Sequence, residues 1–199
     1  MLANGFTSVP TAKIATIVTS LEMLAPPAAD APCAPAPAHI RLIRMERPSL
    51  EWYRALYRRI GEDWLWFSRL RMPDAALADI IHHPAVEISV LQVDGQDAGI
   101  LELDYRETGQ CEIAFFGVAA DRIGQGLGKF LMRQAIHAAW THPIQRLWVH
   151  TCTLDHPSAL AFYRRSGFRP YLQQVEITDD PRLTGDVPRT AARHVPIFE

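Results

Sequence analysis

Three alternating glycines stand where an apolar, strand-like run gives way to an amphipathic, helix-like one. They are Gly124, Gly126 and Gly128, and Lys129 follows them directly. Glycines at such a turn let the backbone approach a ligand closely, and the first helical turn leaves several N–H groups without partners. These donors, the positive end of the helix dipole and the lysine together suit a phosphate or pyrophosphate. The sequence therefore predicts an anion site at this turn.

Two familiar phosphate-binding motifs do not fit the glycines. In a Walker A loop the first glycine would fall on Ile123, and Phe130 replaces the serine or threonine. In a Rossmann fingerprint the third glycine would fall on Lys129 or Leu131, depending on the starting glycine. The spacing therefore excludes both nucleotide motifs.

A second motif lies downstream, at residues 156–168, and includes Tyr163. Residues 118–132 resemble the acyl-CoA pyrophosphate loop of the GNAT superfamily of N-acyltransferases, Arg/Gln-x-x-Gly-x-Gly/Ala. Residues 156–168 resemble the family's next motif, Asn-x-x-Ala-x-x-x-Tyr-x-x-x-Gly-Phe. Both lie at the family's spacing, and the resemblance covers residues 39–175.

Two positions depart from the family's pattern. Ile123 stands where the first motif has arginine or glutamine, and Arg122 lies one place earlier. Because backbone N–H groups hold most of the pyrophosphate, the isoleucine removes a side-chain contact rather than the site. His156 stands where the second motif has asparagine, so a hydrogen bond made by the amide cannot simply be carried over.

The resemblance implies an α/β fold with a central, mixed and mostly antiparallel sheet flanked by helices. It also implies acetyl-CoA as the co-substrate. No metal is expected, because His82 and His83 are adjacent and cannot share a helix face, and His150 and His156 lie on different elements without a third ligand. A buried strand is the alternative interpretation of residues 116–118, and a solvent-facing side chain is the alternative for Lys129. The residues that the resemblance places against acetyl-CoA are Phe116, Gly117, Val118, Ile123, Gly124, Gln125, Gly126, Leu127, Gly128, Lys129, His156 and Tyr163.

Transfer of an acetyl group to an amine needs a neutral nitrogen and a proton for the departing thiolate. An amine with a lysine-like pKa of about 10.4 is almost wholly protonated at pH 7, so a general base assists. The resemblance places the base at Glu112, in the strand before the loop, and the acid at Tyr163. The alternatives are a carboxylate that faces solvent or pairs with an arginine, and a core tyrosine bonded to a carbonyl.

The resemblance also places the helix–loop–helix of residues 49–81 over the acceptor cleft. Trp64, Trp66 and Phe67 would form an aromatic wall, with core packing as the alternative. Glu62, Asp63, Glu102 or Asp104 would attract a cationic amine. The prediction is an N-acetyltransferase acting by direct transfer on a small-molecule amine. A protein or peptide acceptor, or a non-catalytic domain that binds acyl-CoA, are the alternatives.

The elements before and after these motifs follow from composition and periodicity. Residues 13–23 are rich in β-branched residues and predict a strand, and the Ala/Pro tract 24–38 predicts an extended linker. The strand would join the main sheet or a partner's sheet. Residues 39–199 would form the acetyltransferase domain: strand, two helices, three antiparallel strands, helix, strand, helix and strand. Val195–Phe198 is a candidate edge strand.

Composition narrows the class of protein. The 199 residues, 48% of them hydrophobic, suffice for one domain. A net charge of -2 argues against a nucleic-acid binder. Cys33, Cys111 and Cys152 are too few for a disulfide framework or a zinc site. No apolar run is long enough to cross a membrane, so the sequence predicts a cytoplasmic protein without a membrane partner, and leaves a homodimer open.

Overall fold

A mixed sheet is the frame of the molecule. The computed structural model describes residues 4–27 and 37–199, and within them one seven-stranded sheet has the spatial order β2-β3-β4-β5-β6-β1-β7. Among the strands of the described residues, only β5 and β6 are parallel neighbours. The strands are β1 (Lys13–Met23), β2 (Ile40–Met45), β3 (Val86–Val93), β4 (Gln96–Asp104), β5 (Gln110–Val118), β6 (Arg146–Cys152) and β7 (Arg169–Asp179).

Helices cover both faces of this sheet. Along β4, Ile100 and Leu101 point to opposite faces, as successive strand residues do. Ile100 packs with Tyr53 and other residues of the first helices, whereas Leu101 packs with Leu131 of the helix that follows the glycines. In the described part of the chain the helices are α1 (Leu50–Gly61), α2 (Ser68–Arg71), α3 (Asp74–Ile81), α4 (Leu127–Trp140), α5 (Ala159–Arg165) and α6 (Pro181–Thr184).

The N-terminal strand β1 lies inside the sheet. Val18–Met23 pairs antiparallel with β6, and the strand pairs along its length with β7. Leu21 is fully buried in the same core cluster as residues of α4. The strand predicted over residues 13–23 is therefore confirmed, and it joins this chain's own sheet. Most of the predicted linker, including Cys33, lies outside the described residues.

The parallel strands β5 and β6 open a cleft in the sheet. Among the described residues they pair only where Gln110–Glu112 lies beside Arg146–Trp148. Beyond these residues β5 continues to Val118 and β6 to Cys152. The main-chain groups of β5 on this side therefore face a gap instead of a neighbouring strand, and unpaired strand groups of this kind can bond a ligand.

The C-terminal residues do not form the edge strand predicted at Val195–Phe198. The buried guanidinium of Arg182, in α6, explains the difference. Its Nη1 donates to the Val195 carbonyl at 2.7 Å, and its Nη2 donates to the Pro196 carbonyl at 3.3 Å. The same guanidinium is paired with Asp180. Because the arginine takes these carbonyls, the tail is held as an irregular segment.

The sheet ends at β7, which is an edge strand with apolar side chains in solvent. Such an edge can pair with a strand of another molecule, and the homodimer stays a prediction. No helix of the described residues has the length and apolar character needed to cross a membrane. The exposed apolar residues of β7 are Tyr171, Leu172, Val175 and Ile177.

Candidate active site

The cleft between β5 and β6 opens into a cavity of about 610 Å³. All of β5 from residue 112 to residue 118 lines it. Residues 122–124 of the glycine turn and residues 64–69 of the aromatic segment line it as well. His150 and residues 154–156 line it from β6 and the loop that follows. One space therefore connects the predicted anion site, the predicted catalytic residues and the predicted acceptor wall.

The glycine turn exposes backbone N–H groups. Gly124 and Gly126 have φ angles of 84° and 79°, a region that glycine adopts without strain. No side chain caps α4, and the Phe130 N–H donates to the Gly126 carbonyl at 3.1 Å. The N–H groups before Phe130 therefore have no acceptor within the helix. A Cβ atom at Gly124, Gly126 or Gly128 would meet no atom within 4 Å, so a ligand has room beside these donors.

The residues around this turn differ in what their side chains can offer. Ile123 is 43% exposed and lines the cavity, but it has no hydrogen-bonding group. Arg122 also lines the cavity, and its Nη2 donates to Gln96 Oε1 at 3.4 Å. Its guanidinium places a positive charge near the turn. The first motif does not predict this charge, because the motif has its basic residue one position later, where this chain has Ile123.

The other predicted loop side chains do not line the cavity. Leu127 is buried in the core, so only its backbone faces the turn. Gln125 Nε2 donates to the Asp121 carbonyl at 3.3 Å, which holds the turn together. Lys129 is exposed to solvent on the first turn of α4. An anion at this turn would therefore be held by backbone N–H groups, with Lys129 as a nearby charge.

Replacing Gly128 with alanine is expected to change stability and ligand binding in opposite directions. Alanine is favoured over glycine in a helix by up to about 1 kcal/mol, and the added Cβ meets nothing in the free protein, so the free energy of unfolding should rise. If a pyrophosphate binds at these N–H groups, the same Cβ would lie in its path, and the affinity for a pyrophosphate ligand such as acetyl-CoA should fall about tenfold, or by ~1.4 kcal/mol. Chemical denaturation and calorimetric titration measure the two effects, and unchanged affinity would contradict this placement.

His156 makes a local contact that asparagine commonly makes. Its Nδ1 accepts the backbone N–H of Ser158 at 3.1 Å and lies 2.7 Å from the Ser158 hydroxyl. Asparagine side chains characteristically bond the backbone two residues ahead in the same way. The substitution at this position therefore preserves the turn that starts α5, and His156 also lines the cavity.

Tyr163, on α5, lines the cavity from within an aromatic cluster. Its ring packs edge-on against Phe116 at 6.2 Å and against Phe168 at 6.1 Å, and the residue is 7% exposed. Among the described residues, no group is hydrogen-bonded to its hydroxyl. Burial raises the pKa of Tyr163 well above its ordinary value, and the charge of Asp155 adds to the effect. The hydroxyl therefore stays protonated at neutral pH, the state from which it can donate.

Glu112 lies at the base of the cleft beside a histidine that the motifs did not point to. Its Oε1 is 3.3 Å from Nδ1 of His150 on β6, and both residues line the cavity. Contact with this carboxylate raises the pKa of His150 against the opposing effect of burial, and Asp155 and Glu176 raise it further. The only signal for this pair is the parallel register of β5 with β6, which the sequence does not reveal.

The predicted aromatic wall lines the cavity. Trp64, Trp66 and Phe67 are all partly exposed there. The Trp66 Nε1–H donates to Asp155 Oδ1 at 3.3 Å, and the Trp64 ring meets that of His156 edge-on at 5.2 Å. These contacts attach the segment after α1 to the loop after β6, so the wall and this loop border the cavity together.

The prediction that Glu102 attracts the acceptor amine requires correction. Glu102 is fully buried and does not line the cavity. It accepts a hydrogen bond from Arg69 Nη2 at 2.6 Å and another from the Tyr53 hydroxyl. The carboxylate faces α1 and α2 from inside the core, where the guanidinium already balances its charge. A ligand in the cavity therefore meets Arg69 and not Glu102.

Two further observations concern metals and thiols. Among residues 4–27 and 37–199, no group of three His, Cys, Asp or Glu side chains is placed to hold a metal ion. Cys111 and Cys152 are free thiols. Burial raises the pKa of the Cys111 thiol to about 12, so it is a neutral core residue.

A family comparison agrees with this fold and site. Residues 49–168 match the model of the Acetyltransferase (GNAT) family, which is more than half of the 199-residue chain. The chain therefore belongs to the GNAT acetyltransferase family, whose members generally use acetyl-CoA. A search of curated proteins found no match.

Solved structures of the same fold confirm the predicted architecture. A GCN5-related N-acetyltransferase from Sphaerobacter thermophilus superposes with a TM-score of 0.58 at 17% identity, over 86% of this chain and 53% of that chain. One from Kribbella flavida gives 0.55 at 20% identity, over 87% and 63%. An aminoglycoside acetyltransferase from an uncultured soil metagenomic sample gives 0.53 at 19% identity, over 65% and 88%. The chain thus spans less than two thirds of the first two proteins.

Proposed function

We propose that this chain is an N-acetyltransferase that moves an acetyl group from acetyl-CoA directly to the amine of a small molecule. The observation that carries the proposal is a cavity lined by the glycine turn, by Tyr163 and Glu112, and by the aromatic wall. The turn suits the phosphates of acetyl-CoA, the wall suits the acceptor, and the titratable groups line the same space.

Acetyl-CoA would bind along β5 with its pyrophosphate at the turn. The N–H groups from residue 126 to residue 129 and the helix dipole would hold the phosphates. The strand backbone at residues 116–118, which lines the cavity on the side of the cleft, would pair with the pantetheine amides. Arg122 would supply the nearby positive charge that Ile123 lacks. The acetyl group then lies toward Tyr163 and Glu112.

The reaction would be a direct displacement. The nitrogen of the amine attacks the thioester carbonyl, the C–N bond forms, and the C–S bond breaks with its electron pair on sulfur. Tyr163, whose hydroxyl is protonated at neutral pH, would give its proton to this thiolate. On the amine side, the carboxylate of Glu112 supplies the negative charge that favours loss of the ammonium proton.

The enclosure of the acceptor side favours a small amine over a peptide. The ring of Trp64 lies 5.2 Å from that of His156 and 6.4 Å from that of His194, in the C-terminal tail. The tail and the wall therefore meet, whereas a peptide needs an open groove. Asp155 and Glu176 also line the cavity and would attract a cation. Aminoglycosides, the class named for one structural neighbour, are examples of such polycationic amines.

A thermal or chemical unfolding assay with acetyl-CoA tests the first half of the proposal. At about 100 times the dissociation constant the ligand should stabilise the protein by about 2.7 kcal/mol, whereas ATP and NAD at equal concentration should not. No shift with acetyl-CoA would refute the binding site.

The second half needs a turnover assay, in which release of the free CoA thiol is followed across panels of small amines and of peptides. Turnover of peptides alone would mean that the acceptor is a peptide and not a small molecule. Binding of acetyl-CoA without turnover on either panel would favour the alternative of a non-catalytic domain that binds acyl-CoA.

A further inference from the structure

We infer that His150 takes the proton from the acceptor amine and that Glu112 is its positioning residue. The inference rests on the proposed acetyl transfer and changes which side chain does the proton chemistry there. It starts from the placement of the two residues along the cleft.

Glu112 and His150 differ in their position relative to the opening of the cleft, and this difference assigns them different roles. Glu112 is the last residue of β5 that is paired with β6, opposite Trp148. His150 lies two residues further along β6, where the strands have already diverged. An amine that enters the gap therefore reaches the imidazole before the carboxylate. Exposure agrees, since the side chain of His150 is 48% exposed and that of Glu112 is 24% exposed.

The contact between the two side chains selects the nitrogen that can accept a proton. Glu112 Oε1 lies 3.3 Å from Nδ1 of His150, so the proton of the neutral imidazole is best placed on Nδ1, facing the carboxylate. Nε2, on the opposite side of the ring, is then the unprotonated nitrogen. In this arrangement the Glu112 carboxylate faces Nδ1 of His150, and the unprotonated Nε2 can accept a proton from a ligand in the cavity.

The charges around His150 strengthen it as a base. Glu112 on β5, Asp155 in the loop after β6 and Glu176 on β7 all raise its pKa. From β1, its register partner is the neutral Ser20. Two arginines at this end of the strands are held in ion pairs, Arg146 with Glu22 at 2.8 Å and Arg106 with Asp104 at 2.6 Å.

The proton balance is complete with these groups. The acceptor enters as an ammonium, and His150 Nε2 takes one proton, which makes the nitrogen a nucleophile. The C–N bond forms and the C–S bond breaks. The nitrogen loses its second proton as the amide forms. Tyr163 gives its own proton to the thiolate and is reprotonated by the one that the nitrogen loses. One proton therefore remains, and His150 releases it to solvent through the cavity.

The pairing can be tested without turnover. The pKa of His150 is measured by NMR of the imidazole in the whole protein and in Glu112→Gln. We expect a lower value in the variant, because the amide has no charge. His142 is a matched control, since its Nε2 lies 3.4 Å from Glu87 Oε1 with the side chain 41% exposed, away from the cavity. Its titration should not move in Glu112→Gln.

The base role is tested by the pH dependence of kcat/KM with one amine. The rate of the wild type should rise with pH through the pKa of His150, because only neutral imidazole accepts a proton. In Glu112→Gln this rising limb of the pH profile should move to lower pH. In His150→Gln it should vanish, with kcat lower by about 10²–10⁴-fold and acetyl-CoA affinity unchanged. His142→Gln should retain both kcat and the limb.

The outcomes separate this inference from the proposed function. An unchanged His150 titration in Glu112→Gln overturns the pairing, whatever the activity. If the wild type releases CoA and His150→Gln keeps its kcat and its limb, the base role is refuted and acetyl transfer stands. If the wild type binds acetyl-CoA and acetylates no amine, the acetyl-transfer proposal fails and the base role fails with it.

Discussion

Replacing Arg69 with methionine is expected to lower the free energy of unfolding by about 3–5 kcal/mol, because it leaves a buried carboxylate without its counter-ion. Glu102 is fully buried, and the Arg69 Nη2 donates to its Oε1 at 2.6 Å. Burial alone would lower the pKa of Arg69, but the charge of Glu102 raises it above its ordinary value. The guanidinium therefore stays charged, and its loss removes a full positive charge from the core.

Two further variants show whether the loss comes from charge. Adding Glu102→Gln to Arg69→Met removes the unpaired charge while a side chain remains for the Tyr53 hydroxyl, so most of the stability should return. Arg71→Met is the matched control, since Arg71 pairs with Asp186 at 2.7 Å with its side chain 37% exposed. Exposed pairs contribute about 0–1 kcal/mol. Urea unfolding measures all three variants, and equal losses in Arg69→Met and Arg71→Met would contradict the argument.

Replacing Tyr163 with phenylalanine is expected to lower kcat by about 10²–10⁴-fold if the hydroxyl protonates the departing thiolate. The ring fills the cluster with Phe116 and Phe168, and phenylalanine keeps that packing. The hydroxyl has no hydrogen-bond partner among the described residues, so its removal leaves no buried group unpaired. The free energy of unfolding and the affinity for acetyl-CoA should therefore change by less than about 1.5 kcal/mol.

Steady-state assays of CoA release, with binding measured separately, test this expectation. Tyr105→Phe is the control, because Tyr105 is also a partly buried tyrosine with an unpartnered hydroxyl but stacks on His142 outside the cavity. It should retain full activity. If Tyr163→Phe were as active as the wild type, another group would have to protonate the thiolate. Inactivity of both wild type and variant, with acetyl-CoA bound, would favour the non-catalytic alternative.

The features that short sequence patterns predicted are those whose geometry is local. The glycine turn needs positive φ angles at Gly124 and Gly126 and free N–H groups in the next helical turn. The φ angles and the free N–H groups both depend on residues that are close in the sequence, so the spacing of the glycines is enough to predict them. The same holds for Tyr163, whose place on α5 follows from the second motif, and for β1, whose β-branched composition predicts a strand.

The features that sequence patterns miss or misplace depend on contacts between distant parts of the chain. The sequence presents Glu102 as an available carboxylate, but the packing of α1 and α2 buries it beside Arg69. The composition of Val195–Phe198 favours a strand, yet Arg182 takes the carbonyls that a strand would pair.

By itself, the sequence determined the family motifs, the anion-binding turn and the element types, because short-range spacing encodes them. Tertiary structure decided where those elements lie. It inserted β1 between β6 and β7, which no local preference dictates. It also brought His150 to 3.3 Å from Glu112, although 37 residues separate them in the chain. That contact exists because the parallel strands β5 and β6 pair over a few residues and then diverge. The base of the cleft is therefore set by the register of these two strands and not by the spacing of residues in the sequence.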